Sequence, residues 1–182
     1  MNEHDIRLLM DNPAIKAVVN DFRKQYSGSE QAFAVLTDND LLSTIMLGPV
    51  IGVALSNNHL NFFESLYLTH LSRLLSEGGY YHVSDPVLKA AKATVKRFEE
   101  LEKPLYAALK EVINALEHKS DLPILDMMIN MGNVQKDGLS ATKTMNQEAF
   151  LKIKVISENL LISSTSSYKK FLQDYQHLEP ND

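Results

Sequence analysis

"LLSTIMLGPVIGVAL", Leu41 to Leu55, carries no charged side chain, and the uncharged run extends on to Phe63, between Asp40 and Glu64. A helix needs ~20 consecutive apolar residues to cross a bilayer, and this run is shorter. The polar group Ser56, Asn57, Asn58 and His59 that follows is unsuited to a lipid interior. The stretch is therefore expected to fill a protein core. Gly48-Pro49 lies inside it, and the residue before proline avoids the α region. That predicts one helix ending near Leu47 and a second from Pro49 to about Ser56. Gly48 and Gly52 stand at i and i+4, a spacing that lets helix backbones approach closely. Here Gly48 is expected instead to relieve the conflict ahead of Pro49.

Outward from this stretch the apolar spacing is helical, and strict alternation is nearly absent. On the amino-terminal side, Ile6, Leu9 and Met10 fall together. Asn12-Pro13 is a cap-and-proline start for a helix with Val18, Phe22 and Tyr26 on one side, broken by "SGS" at 27–29. Short helices follow, one to about Leu36 and another beginning near Asp40. On the carboxyl side, "HLNFFESLYLTHLSRLLSE" is an amphipathic helix starting at Asn58 and ended by Gly78-Gly79. Its inner face is expected to carry Leu60, Phe63, Tyr67, Leu71 and Leu74, and its outer face Asn61, Ser65, Thr69, Ser72 and Ser76. Asp85-Pro86 opens the next helix, with Leu88, Ala91, Val95 and Phe98 as its stripe. Pro104 either kinks that helix or starts another, through Leu105, Leu109, Ile113 and Leu116. A short helix ends at Gly132, and 133–144 reads as a long polar loop. A last helical face runs from Phe150 to Tyr175, with "SSTSS" at 163–167 weakening its middle. The expectation is an all-α, single-domain irregular bundle of six to eight helices over 1–182, with a frayed end.

Bulk chemistry narrows function. The 182 residues hold 18 Lys+Arg against 23 Asp+Glu, net −5, and neither half is basic, which argues against a nucleic-acid partner. There is no cysteine, so thiolate nucleophiles, disulfides and Cys-ligated metals are excluded, and a reducing cytoplasm suits the chain. The start "MNEHDIRLLMDNP" lacks a signal peptide's basic and apolar regions. No membrane segment is expected.

Four residues stand out as ligand-binding candidates: His59, Phe63, Glu64 and His70. The histidines are eleven apart, three turns of one helix, flanking an apolar edge. Such imidazoles suit a cofactor, yet at ~16 Å apart they cannot share one small ion. Glu64 falls between Leu60, Leu71 and Leu75 on the helical wheel, within the apolar arc. A carboxylate there is a general acid/base, an ion pair to a neighbouring helix, or an edge of the arc exposed to water; if buried it needs a partner or takes up a proton near neutral pH. Asp174-x-x-His177 has metal-ligand spacing but no matching partners, and Ser140-x-x-Lys143 lacks the further motifs of its chemistry. Lys89, Lys92, Lys96 and Lys103 form a strip interrupted by Glu99, Glu100 and Glu102, the pattern of a solvated face. No catalytic or metal-binding residue is assigned, and the cofactor stays unknown.

Three functions fit these residues. The first is non-enzymatic protein–protein interaction, as an adaptor, inhibitor or self-associating subunit. The second is small-ligand or cofactor binding near His59, Phe63 and His70. The third is an enzyme with a site around Glu64. The absence of any catalytic constellation places the first ahead.

Overall fold

The structure is a computed structural model and describes residues 1–26, 31–77, 85–118, 122–134 and 145–180. The sequence-predicted loop thus lies outside the described residues from 135 to 144, as does Ser140. Ten α-helices form, and no strand occurs among the described residues. In order they are α1 (Glu3–Met10), α2 (Pro13–Tyr26), α3 (Gln31–Ala34), α4 (Asp38–Ala54), α5 (Phe62–Leu75), α6 (Pro86–Lys96), α7 (Phe98–Asn114), α8 (Ile124–Gly132), α9 (Gln147–Asn159) and α10 (Ser166–Asp174). This is the all-α bundle that the periodicity predicts.

The run that opened the sequence is α4, and it is buried from Asp40 to Ala54 without interruption. A helix with no polar face has to be surrounded. Helices α1, α2, α5, α6, α7, α8 and α9 all pack on α4. Thr37 caps its start, accepting a hydrogen bond from the Asp40 amide at 3.1 Å. Pro49 does not divide it, contrary to the sequence expectation. The proline ring holds a helical φ, and the one bond lost is the amide that Ile45's carbonyl would have received. The enclosing helices hold the chain in line across that gap.

Gly48 and Gly52 have a larger role than relieving Pro49: they set the crossing of α4 with its neighbours. A Cβ at Gly48 would stand 3.1 Å from the Leu105 Cβ of α7. At Gly52 it would stand 2.2 Å from the Tyr106 hydroxyl, 3.1 Å from Phe98 and 3.2 Å from Ile156 of α9. Small residues at i and i+4 thus allow α7 to lie against α4, a crossing inside the chain rather than between chains.

Two further boundaries differ from the sequence reading. The chain breaks between α6 and α7 at Arg97, which leaves the helical region at φ −123°, ψ 29°. Pro104 instead lies within α7. The carboxyl-terminal pattern does divide, at Leu160–Thr165, where Leu161 takes a positive φ of 58° and Thr165 caps α10. Starts at Asn12-Pro13 and Asp85-Pro86 form as expected, with the Asn12 Oδ1 accepting from Ala14 and the Asp85 Oδ1 from Leu88. Among the described residues no helix is long and apolar enough to cross a membrane.

Gly52→Ala should lower the urea midpoint by the equivalent of about 1–3 kcal/mol, as an overpacked core does. Gly48→Ala should cost less, because at 3.1 Å its nearest contact, the Leu105 Cβ, has to give by only a few tenths of an ångström. Tyr106→Phe in the Gly52→Ala background should recover most of the loss by removing the nearest atom. A Gly52→Ala protein with an unchanged midpoint would refute the close crossing.

Candidate functional site

Helix α5 holds three of the four residues singled out by sequence. It starts at Phe62, four residues later than expected, because Asn61 caps it. The Asn61 side chain accepts from the Glu64 amide at 3.0 Å, and the Glu64 carboxylate accepts from the Asn61 amide at 2.8 Å. This reciprocal pair is a capping box. Glu64, half-buried, therefore has a partner for its carboxylate at the helix start, where the dipole favours a negative charge. His59 lies before the helix in the turn after α4, exposed, with its Nδ1 3.3 Å from the Asn57 carbonyl. The single helical edge expected to join His59 and His70 does not form.

The inner face of α5 is rotated from the expected one. Leu68, Leu71, Ser72 and Leu75 are buried, whereas Leu60, Phe63, Tyr67 and Leu74 are half-buried. Ser72, expected outside, is accommodated because its hydroxyl donates to the Leu68 carbonyl at 2.8 Å. This rotation turns apolar side chains outward. Phe62 is 74% exposed and Leu66, one turn on, is 56% exposed. The Phe63 ring packs edge-on against Phe62 at 5.4 Å between centroids. His70 continues this face, exposed, one turn beyond Leu66. Phe63 and His70 are thus brought onto one surface with Phe62 and Leu66, two residues the sequence analysis did not single out. Leu151 and Val155 make a smaller aliphatic pair facing out from α9.

The buried carboxylate sought at Glu64 occurs at Asp40, which is almost fully enclosed and accepts from the Glu77 amide at 2.9 Å. Burial pushes its carboxyl above the usual range, and the nearby Glu77 and Asp85 carboxylates add to the rise against the Glu77 amide and the Thr37 hydroxyl. Burial also raises the Tyr106 phenol, with the neighbouring Glu102 carboxylate adding to the effect, so this hydroxyl keeps its proton. Among the described residues no group of three or more His, Asp or Glu side chains could hold a metal ion. No family model, no curated protein and no solved structure matches this chain.

Two substitutions test these placements. Asn61→Ala should destabilise by about 0.5–2 kcal/mol, the usual cost of losing an N-cap. Glu64→Gln keeps the reciprocal bond and should cost no more than about 1 kcal/mol, the dipole contribution. A larger loss at Glu64 than at Asn61 in chemical denaturation would contradict the capping role.

Asp40 predicts a pH dependence. Its folded carboxyl holds a proton more tightly than the unfolded one, whose ordinary value is 3.8. This group's stabilisation is therefore greatest in acid and declines as pH rises from about that value through the folded one. Asp40→Asn keeps an oxygen for the Glu77 amide and stays neutral. The variant should have a higher urea midpoint than the wild type at pH 7, and the gap should close as the pH falls below ~4. A lower midpoint at pH 7 would show that the ionised carboxylate is favourable there.

Proposed function

We propose that the protein acts by protein–protein contact and that the outward face of α5 is its contact surface. One observation carries this: Phe62 and Leu66 stand exposed one turn apart on a helix whose opposite face is already sealed against the core. Large aromatic and aliphatic anchors at the centre of a patch account for most binding energy at interfaces, and water has to be excluded around them. Phe63 braces Phe62, and His70 with Arg73, both exposed, supplies a polar rim on the same side. A net charge of −5 favours a protein over a nucleic acid as the partner, and a chain without cysteine suits the cytoplasm.

A photo-crosslinking residue in place of Phe62 should trap an adduct of discrete mass in the producing cell. An adduct of twice the 20.5 kDa chain identifies self-association, and any other discrete mass identifies a separate partner. The same residue in place of exposed Lys169 on α10 should trap none. Phe62→Ser/Leu66→Ser should abolish the complex while changing stability by no more than about 0.5 kcal/mol. No adduct at 62, or equal adducts at 62 and 169, would overturn the proposal.

A further inference from the structure

A second feature lies away from α5, where the end of α4, the joint between α6 and α7, and α9 meet. A cavity of about 640 Å³ opens there, within the range of small-ligand sites. Leu55, Val95 and Phe98 form the apolar part of a lining that is otherwise polar and charged, and no described residue of α5 contributes.

The rim carries equal numbers of cationic and anionic side chains. Glu102 pairs with Lys152 at 2.7 Å, and Arg97 pairs with Glu100. That leaves Lys96 and Glu99, of opposite sign and both exposed, with no ion pair or hydrogen bond among the described residues. The amino end of α7 opens on the same space with no side-chain cap; its Glu100 and Leu101 amides donate to the Arg97 carbonyl, and Glu99 and Glu100 stand in its first turn. Behind the lining the Tyr106 hydroxyl is directed at Gly52. Tyr106 is only 7% exposed and does not itself line the cavity, and the Glu102 carboxylate is its polar neighbour.

A simple anion would meet three carboxylates on this rim, and a simple cation would meet three cationic groups. A molecule with both charges, separated and set on an apolar body, meets neither penalty. We infer that this cavity binds a small zwitterion of the chemistry of a free L-α-amino acid with an apolar side chain. Its carboxylate lies against Lys96 and the start of α7, its ammonium against Glu99, and its side chain against Leu55, Val95 and Phe98. The site is independent of the α5 face, so either proposal can fail without the other.

The test uses the full chain, calorimetric titration and thermal shift, with L-leucine, L-methionine and L-phenylalanine as probes. At least one should bind and raise the melting temperature. N-acetyl-L-leucine, which lacks the ammonium, and L-leucinamide, which lacks the carboxylate, should each bind about tenfold more weakly than L-leucine, the equivalent of one lost charge contact. Lys96→Gln and Glu99→Gln should each weaken binding by about fivefold or more, while Lys103→Gln, on the exposed side of α7, should not. All are surface changes that leave the fold intact. Absence of binding by all three amino acids would overturn the inference. So would equal affinity for N-acetyl-L-leucine, or a Lys103→Gln effect as large as that of Lys96→Gln.

Discussion

The rest of the fold depends on α4 having to be dry on every side. From Asp40 to Ala54 no residue reaches solvent, so each sector of the helix needs a neighbour. The other helices are amphipathic staves laid around this rod, and only one face of each has to be apolar. Where the staves approach most closely, the limit is set by backbone rather than by side chains. Gly48 and Gly52 leave room for Leu105 and Tyr106, and any Cβ at Gly52 would occupy the space of a phenol oxygen. Burying Pro49 within the same rod gives up one backbone hydrogen bond, and the surrounding packing keeps the helix continuous across it.

Several hydroxyls inside this assembly are satisfied by backbone carbonyls. Ser43 donates to the Leu75 carbonyl, Thr44 to Asp40, Ser72 to Leu68 and Thr94 to Ala90, all within 3.0 Å. A hydroxyl satisfied by a carbonyl one turn back behaves as a small side chain that can be packed in the interior. Asp40 is a costlier case. It is an enclosed carboxylate with a single backbone donor and a further acid, Asp85, close enough to act on it.

These hydroxyls also explain how much of the fold was legible in the sequence. Helical spacing, the Asn12-Pro13 and Asp85-Pro86 starts and the charge-free run over α4 are local signals, and all of them form. The faces were harder. A serine on a helical wheel reads as outward, so Ser72 and Ser76 rotated the expected inner face of α5 away from Leu68 and Leu75. Pro49 and Pro104 read as boundaries because a proline's cost is local, while the packing that bears it comes from helices distant in sequence. The break at Arg97 has no proline or glycine to announce it. Of the candidate site, Phe63 and His70 were legible and share the outward face. Phe62 and Leu66 were not, since exposure of an apolar residue leaves no mark in periodicity. Glu64's position in the apolar arc was legible, but its reciprocal bond with Asn61 depended on where the helix begins.

Single exposed hydrophobic residues are ordinary on protein surfaces and need no explanation. What separates Phe62 and Leu66 from that background is the geometry of α5 as a whole. The fold already has its contact from this helix, through Leu68, Leu71 and Leu75 on the opposite side. A polar residue at 62 or 66 would satisfy the helix equally well, because neither side chain is needed to seal the core. The capping box fixes where α5 starts, and so fixes Phe62 at the first helical position with Leu66 directly beyond it. The backbone that carries the apolar pair is therefore fixed by a helix that does not require these side chains. A surface of that kind gains by contact with another protein most of what an apolar anchor can supply.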